Sequence, residues 1–462
     1  MRKKQENPNQ ENLLIKDTGI IIGDGQTILE KAHIVISGQR ISYVDREKPA
    51  GVKFTNIVEG QNNWTLPGIV NIHTHGIIPD APLFSSASRP PPHEVIERNL
   101  KRHLSQGTTT LLNLDGFAAP EKVTAAQKLI PINIKTGSTH YHKAYLAAKK
   151  SDAQGLEAQK ELEISELVLE HPGLIVAVGE AGSGATLGGG VQDYKYIPEM
   201  IKKETGAVIS ETEARELKEA VLGREISAKL FDSKKVAQIL RQVGLGDYST
   251  GWAREKIEDT VLPGFKLSLD SLDEGAKIAQ KYRLPLVVHT ALASRSEIEA
   301  LKSLGSLLVA GHLNHPSFEL AEAINLAKKL KQVGVFIDIS TFDTLQSPKK
   351  TEELELFFRF LEEGLADTIS TDYGGGNHSP ILRMVELALA EGVVSLPEAV
   401  ARLTSIPAQV IPGLAPERGL VKKGFIADLV MVNREKISQV DQVIIGGEVL
   451  SLEPSGRRDQ RH

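Results

Sequence analysis

The chain contains no cysteine. Disulfides, thiolate nucleophiles and every cysteine-based zinc or iron–sulfur site are excluded, so metal chemistry would have to rest on imidazole and carboxylate. Aromatic residues are sparse, at 5%, and no apolar run reaches the roughly 18 residues that suggest a membrane span. The opening MRKKQENPNQEN is charged but has no apolar stretch behind it, so it does not read as a secretory signal. An excess of positive charge is missing too. Lys plus Arg number 54 against 59 for Asp plus Glu, a formal net charge of -5, which gives no field to gather nucleic acid or an anionic membrane. The expectation is a soluble cytoplasmic protein, a homo-oligomer, whose partner is a small molecule.

What is present is ordinary globular material: 462 residues, 41% apolar and 24% charged, with 40 Gly and 22 Pro. That length suits either several domains or one α/β barrel of about 250 residues with additions. Residues 1–12 are polar, carry Pro8, and read as a loose tail. Short apolar runs broken by turn residues follow, as in Gly19-Ile-Ile-Ile-Gly, Ala32-His-Ile-Val-Ile-Ser-Gly and Arg40-Ile-Ser-Tyr-Val-Asp. The far end repeats the pattern in Gly424-Phe-Ile-Ala-Asp-Leu-Val-Met-Val-Asn and Gln442-Val-Ile-Ile-Gly-Gly-Glu-Val-Leu. Such runs predict short antiparallel strands. The two ends, 1–66 and 414–462, therefore predict one small β-sandwich domain.

Between them, residues 67–413 alternate strand-like runs with amphipathic stretches, the pattern of repeated βα units. Eight strand candidates begin near Gly68, Thr108, Ile132, Leu174, Leu284, Ser306, Gly334 and Thr368. Eight closes a (β/α)8 TIM-like barrel. Helices are predicted over Pro92–Gln106 and Ser271–Arg283, the second starting at a capping box of Ser271 with Glu274. A charged, helical segment at about 186–262 interrupts the rhythm and predicts an insertion at the barrel mouth. Its Glu211–Glu219 run reads as a solvated helix face.

The sharpest local signal is Leu66-Pro-Gly-Ile-Val-Asn-Ile-His73-Thr-His75-Gly. Residues two apart on a strand share a face, so His73 and His75 can grip one metal; alone, they could equally be satisfied core histidines. Other strand ends carry further donors: Glu180 on the fourth, His289 on the fifth, His312 on the sixth and Asp372 on the eighth. Barrel enzymes keep their catalytic groups at these ends, and six donors gathered there predict a metal centre. His140 and His142 follow the third strand and face the mouth as possible substrate contacts, or are plain loop residues. His315 precedes Pro316 and reads as second to His312; Asp338 depends on register and stays unassigned.

These segments resemble the amidohydrolase superfamily of metal-dependent hydrolases, over nearly the whole chain. Val178-Gly-Glu180-Ala-Gly-Ser-Gly and Gly311-His312-Leu-Asn are similar to its enamidase-like branch, whereas Asp372-Tyr-Gly-Gly departs from that pattern. The resemblance implies that His73, His75 and Asp372 bind a buried metal, His289 and His312 a more exposed one, and that Glu180 bridges them. Many relatives bridge instead through a carbamylated lysine, and Lys266 in Pro263-Gly-Phe-Lys-Leu is the rival. A strand there would make Leu174–Glu180 a ninth, which favours Glu180. N and O donors suit Zn, and also Fe, Mn or Ni. Asp372 would take a proton from the attacking water and pass it to the leaving nitrogen.

The resemblance implies hydrolysis of a C–N bond, with a cyclic amide of lactam or enamide type as the leading substrate. The alternatives are an N-acyl amino acid or dipeptide hydrolase, a ring deaminase, and a metal-free scaffold. Deaminating relatives commonly carry Glu three residues after the fifth-strand His, where this chain has Leu292. The scaffold reading is at odds with a full set of donors. Arg89, in the Ile77–Pro92 loop, could meet a substrate carboxylate or simply be solvated.

Overall fold

The structure, a computed structural model, describes residues 12–82, 89–151, 155–183, 185–188, 190–345, 350–373 and 380–451. The expected N-terminal tail, up to residue 11, and residues 83–88 of the loop before Pro92 lie outside them. The first apolar runs are rich in Ile and Val, whose branched side chains suit a pleated surface. They form β1 (Asn12–Ile21), β2 (Ile28–Ser37), β3 (Arg40–Asp45), β4 (Asn56–Glu59) and β5 (Asn63–Pro67).

The barrel follows at once. Its strands are β6 (Ile69–His75), β7 (Thr108–Asn113), β8 (Asn133–Ser138), β9 (Ile175–Ala181), β10 (Leu286–His289), β11 (Leu308–Gly311), β12 (Phe336–Ser340), β13 (Thr368–Ser370) and β14 (Asp372–Tyr373). They pair in parallel in the order β13-β12-β11-β10-β9-β8-β7-β6-β14. Only Thr371 separates β13 from β14, so the sheet closes on itself and the eighth expected strand is one strand broken in two. Asn71 of β6 holds that seam. Its Nδ2 donates to Thr371 Oγ1 at 2.8 Å, and its Oδ1 accepts from the Thr371 backbone N–H at 3.4 Å. β9, β10 and β11 are nearly continuous in apolar residues, as suits parallel strands whose outer face is covered by helices.

The last strands, β15 (Leu429–Asn433), β16 (Val440–Ile445) and β17 (Glu448–Leu450), return to the first sheet. β15 pairs antiparallel with β5, giving the path β17-β16-β15-β5-β1-β2-β3, with β4 beside β1. The β16–β17 hairpin turns on Gly446 and Gly447, at φ 56° and 84°. A two-residue turn with both φ positive matches the strand twist, and only glycine adopts it freely. One mostly antiparallel sheet thus joins the two chain ends.

The insertion after β9 is helical: Ile197–Thr205, Glu211–Leu222, Ser233–Gln242 and the first half of Thr250–Tyr282. Ile201, Leu217, Val221, Val236, Ile257 and Val261 pack there as a core separate from that of the barrel. Two expectations are corrected. Ser271 does not start a helix; the helix begins at Thr250, capped by the Ser249 hydroxyl, and runs through Pro263 to Tyr282, while Ser271 Oγ donates to the Ser268 carbonyl at 2.7 Å. The Glu211–Glu219 run is not wholly solvated, because Lys218 is buried with its Nζ 2.6 Å from Asp193 Oδ1. No helix among the described residues is long and apolar enough to cross a membrane.

Candidate metal centre

Strand ends at the C-terminal mouth of the barrel place the donors. His73 and His75 alternate with Thr74 on β6, so both imidazoles turn to the barrel axis while Thr74 Oγ1 donates to the Leu112 carbonyl outside it, at 2.7 Å. His73 Nε2 lies 3.5 Å from Glu180 Oε1 and 3.6 Å from Asp372 Oδ1; His75 Nε2 lies 3.5 Å from Glu180 Oε2 and 3.5 Å from the same Asp372 oxygen. Glu180 also meets His289 Nδ1 at 3.2 Å and His312 Nε2 at 3.1 Å. The six residues expected from the sequence therefore converge, with Glu180 at their centre.

Three groups of donor atoms lie close enough to share an ion: His73, His75 and Asp372; His73, Glu180 and His312; and His312, Asp343 and Asp372. Among the described residues neither nitrogen of His73 has a hydrogen-bond partner, nor has His75 Nε2 or His289 Nε2, although all are buried. An unsatisfied buried polar atom costs about 1–3 kcal/mol. Orphaned imidazole nitrogens facing carboxylates fit a divalent ion, and the N and O donor set suits zinc and its first-row neighbours.

The carboxylates support the same reading. Glu180, Asp115, Asp338, Asp343 and Asp372 pair only with histidines; among the described residues no Lys or Arg forms an ion pair with any of them. Burial would neutralise Glu180, but contact with His289, His312 and His75 outweighs it and holds the carboxyl well below its usual range. Burial works against a charge on His75 as well, yet Asp115 and Glu180 overcome it and raise the imidazole to about 10. Burial lifts the Asp372 carboxyl to about 6. So much buried negative charge demands cations, protons or metal.

Behind the ring of donors sits a second set of carboxylates that the sequence reading missed or left open. Asp115, fully buried after β7, lies 3.2 Å from His75 Nδ1 and accepts the Gly76 backbone N–H at 3.2 Å. Asp343, in the Thr341–Leu345 helix after β12, lies 3.2 Å from His312 Nδ1. Asp338 points inward, 3.9 Å from His73 Nδ1, and accepts hydroxyls of Thr368 at 2.7 Å and Ser370 at 2.6 Å. Asp115 was findable, since it follows the apolar run of a strand as Glu180 does. Asp343 gave no such sign, because a helix beyond the strand end carries it.

Local backbone is bent to serve the site. Asp372 and His312 sit at φ 63° and 38°, left-handed conformations that non-glycine residues keep only when their surroundings hold them. Gly311, just before His312, has no room for a side chain: a Cβ would come 2.8 Å from the Val288 carbonyl and 3.1 Å from the His73 ring.

The remaining expected residues fall elsewhere. Lys266 is exposed on the Thr250–Tyr282 helix and belongs to none of the donor groups, so the region proposed as a rival strand is helix. His140 and His142 line a cavity of about 220 Å³ with Phe117, Tyr141, Tyr145, Gln159 and Leu162. His140 is buried against the Phe117 ring, centroids 5.3 Å apart, with Nδ1 2.9 Å from Ser138 Oγ; burial lowers it to about 4 and keeps it neutral. His142 is exposed at the start of the helix His142–Lys150. Arg89 is exposed.

Residues 260–450 match the model of the amidohydrolase family. A 5-methylthioadenosine/S-adenosylhomocysteine deaminase of Thermoanaerobacter pseudethanolicus is 30% identical over 86 residues, 17% of this chain and 20% of that protein. The chain thus matches a fifth or less of the length of its curated relatives. Solved structures align along nearly all of it. The β-aspartyl dipeptidase of Fervidobacterium islandicum AW-1, in complex with a β-Asp-Leu dipeptide, superposes with a TM-score of 0.56 at 16% identity, covering 96% of this chain and 97% of that one. The A. niger ochratoxinase gives 0.53 at 14% identity, covering 98% and 99%. At such identity the likeness is one of fold.

Proposed function

We propose that this protein is a metal-dependent hydrolase that opens a C–N bond, with a cyclic amide as substrate. The observation that carries the reading is the convergence of His73, His75, Glu180, His289, His312 and Asp372 at one end of the barrel, with imidazole nitrogens that are buried and have no partner among the described residues. His73, His75 and Asp372 would hold one ion, His289 and His312 a second, and Glu180, in reach of four imidazoles, would bridge them. A bound divalent ion supplies Lewis acidity and brings the pKa of water toward about 7. Zinc is the proposed metal. The bridging Glu180 is also what supports an enamidase-like relationship within the superfamily.

The residues divide the work. The Asp372 side chain is 16% exposed against 0% for His73, 2% for His75 and 4% for Glu180, so it is the donor most open to an incoming molecule. Its carboxylate would take a proton from water and return it to the leaving nitrogen. The Phe117–His140 cavity, at about 220 Å³, is small for a drug-sized ligand, and none of the six donors is among its lining residues.

Ring deamination is the second reading, favoured by the curated relatives. Against it stands Leu292, three residues after His289 and buried, where deaminating relatives commonly carry a proton-shuttling Glu. The test is metal analysis of the purified protein, then hydrolysis of a panel of lactams, imides, N-acyl amino acids and aminopurine nucleosides before and after chelation. Chelator-sensitive opening of a lactam or imide is expected. Release of ammonia from a nucleoside, or a protein that binds no metal, would overturn the proposal.

A further inference from the structure

His315 is a fifth imidazole at the centre and, unlike His73, His75, His289 and His312, makes no ion-pair contact with Glu180 among the described residues. Its ring packs edge-on against His289, centroids 5.4 Å apart, and against His312 at 5.7 Å. A rigid loop holds it there, since the His315 backbone N–H donates to the His312 carbonyl at 2.9 Å and Pro316 follows.

The hydrogen bonds around the ring settle which nitrogen carries its proton. The backbone N–H of Ser317 points at His315 Nδ1 from 3.2 Å, and an amide N–H can only donate. Nδ1 therefore presents a lone pair. The Ser317 hydroxyl, 2.8 Å from the same nitrogen, accepts the Leu292 N–H at 2.9 Å and so has its own proton free to give to Nδ1. With Nδ1 accepting twice, the proton of a neutral ring sits on Nε2. That atom has no hydrogen-bond partner among the described residues, and the His315 residue is only partly buried. The Leu292 contact has a further consequence: the chain after β10 is tied to this loop through Ser317, so the segment that lacks a carboxylate at 292 is the one that orients His315.

We propose that His315 is a catalytic residue, a neutral N–H donor whose Nε2 binds the oxygen that becomes negatively charged as the substrate carbonyl is attacked, on the His289 and His312 side of the centre. This rests on the hydrolase reading and deepens it by specifying an oxyanion-forming carbonyl substrate. A fixed donor beside developing charge is worth about 10²–10³ in kcat when removed. Ser317 is a positioning residue that acts through the ring.

Two measurements test it. The first uses zinc-loaded protein labelled with ¹⁵N-histidine, whose long-range ¹H–¹⁵N spectrum reports the tautomer. His315 is expected with Nδ1 unprotonated and Nε2 protonated, assigned by loss of its signals in His315→Gln; the opposite tautomer or a doubly protonated ring would overturn the proposal. The second titrates methylphosphonate, a tetrahedral anion, into zinc-loaded wild type, His315→Leu and His315→Gln by calorimetry. Leu is expected to weaken binding at least tenfold with zinc content unchanged, and Gln, which retains an N–H donor, to recover part of it. Equal affinity in all three, or loss of zinc from His315→Leu, would sink it. If methylphosphonate depends on His315 while no lactam or imide is hydrolysed, the donor assignment stands and the substrate reading falls; on any lactam that is hydrolysed, His315→Leu should lower kcat more than it raises KM.

Discussion

Replacing Asp115 by Asn separates charge from shape at the carboxylate behind His75. The side chain is fully buried, with Oδ1 3.2 Å from His75 Nδ1 and both oxygens within 3.3 Å of the Gly76 N–H. As a carboxylate it can only accept, so it holds a proton on His75 Nδ1 and leaves Nε2, which faces Glu180 and Asp372, as the nitrogen whose proton an ion would displace. An amide occupies the same volume, but it withdraws a negative charge and can present NH₂ to Nδ1, which would move the proton to Nε2 and turn it against an ion. Partners of this kind typically contribute 10–100-fold to metal affinity, about 1.4–2.8 kcal/mol. Full burial of Asp115 and its direct contact with His75 favour the upper part of that range. Zinc affinity of Asp115→Asn, measured by competition with a chromophoric chelator, should fall by that factor, with the circular dichroism spectrum retained. Unchanged affinity in a folded variant would refute the reasoning, because His75 would then keep its orientation without help.

Other outcomes follow from the same structure. Glu180→Gln should reduce bound metal by about one ion per chain, while Lys266→Ala, an exposed helical change, should leave metal content as it is; elemental analysis distinguishes the two. Lys218→Met strips Asp193 of its closest partner, and since breaking a buried pair costs about 3–5 kcal/mol, a loss near the lower figure is expected because Arg215 still reaches Asp193 Oδ2 at 3.0 Å. Urea unfolding that shows no loss would mean the pair is not buried in solution. His140 is held neutral with its folded value lowered to about 4 from an ordinary 6.5, so the unfolded chain takes up its proton first as pH falls. The stability it contributes is full above pH 6.5 and drains away between 6.5 and 4; wild type should lose on the order of 2–3 kcal/mol more than His140→Gln across that window. Parallel pH profiles of the two proteins would contradict that.

Much of the fold was legible because strand and helix leave different periods in the chain. Five of the eight barrel strands stood out as runs with a metal-capable residue at the end, and β6, β9, β10 and β11 lie where those runs are. The errors are of one kind. Ser271 with Glu274 has the composition of a helix start, and Pro263-Gly looks like a break, yet both lie inside one helix because packing against the insertion and against β9 outweighs the local preference. Lys218 likewise reads as solvated from its charged neighbours and is buried through a partner 25 residues away that no local pattern reveals.

The sequence by itself determined the chemistry of the donors: with no cysteine, a metal could be met only by imidazole and carboxylate, and those side chains were already placed at strand ends in the order His73, His75, Glu180, His289, His312, Asp372. Only the tertiary structure decided how they act together. Closing the barrel sets β14 beside β6 and brings Asp372 within 3.6 Å of His73 and His75, nearly the whole barrel earlier in the chain. It also puts Asp115 and Asp343 behind imidazoles from other strands and fixes the tautomer of His315 through a backbone amide. Those distances depend on strand order, twist and register, quantities that a chain expresses only once it has closed on itself.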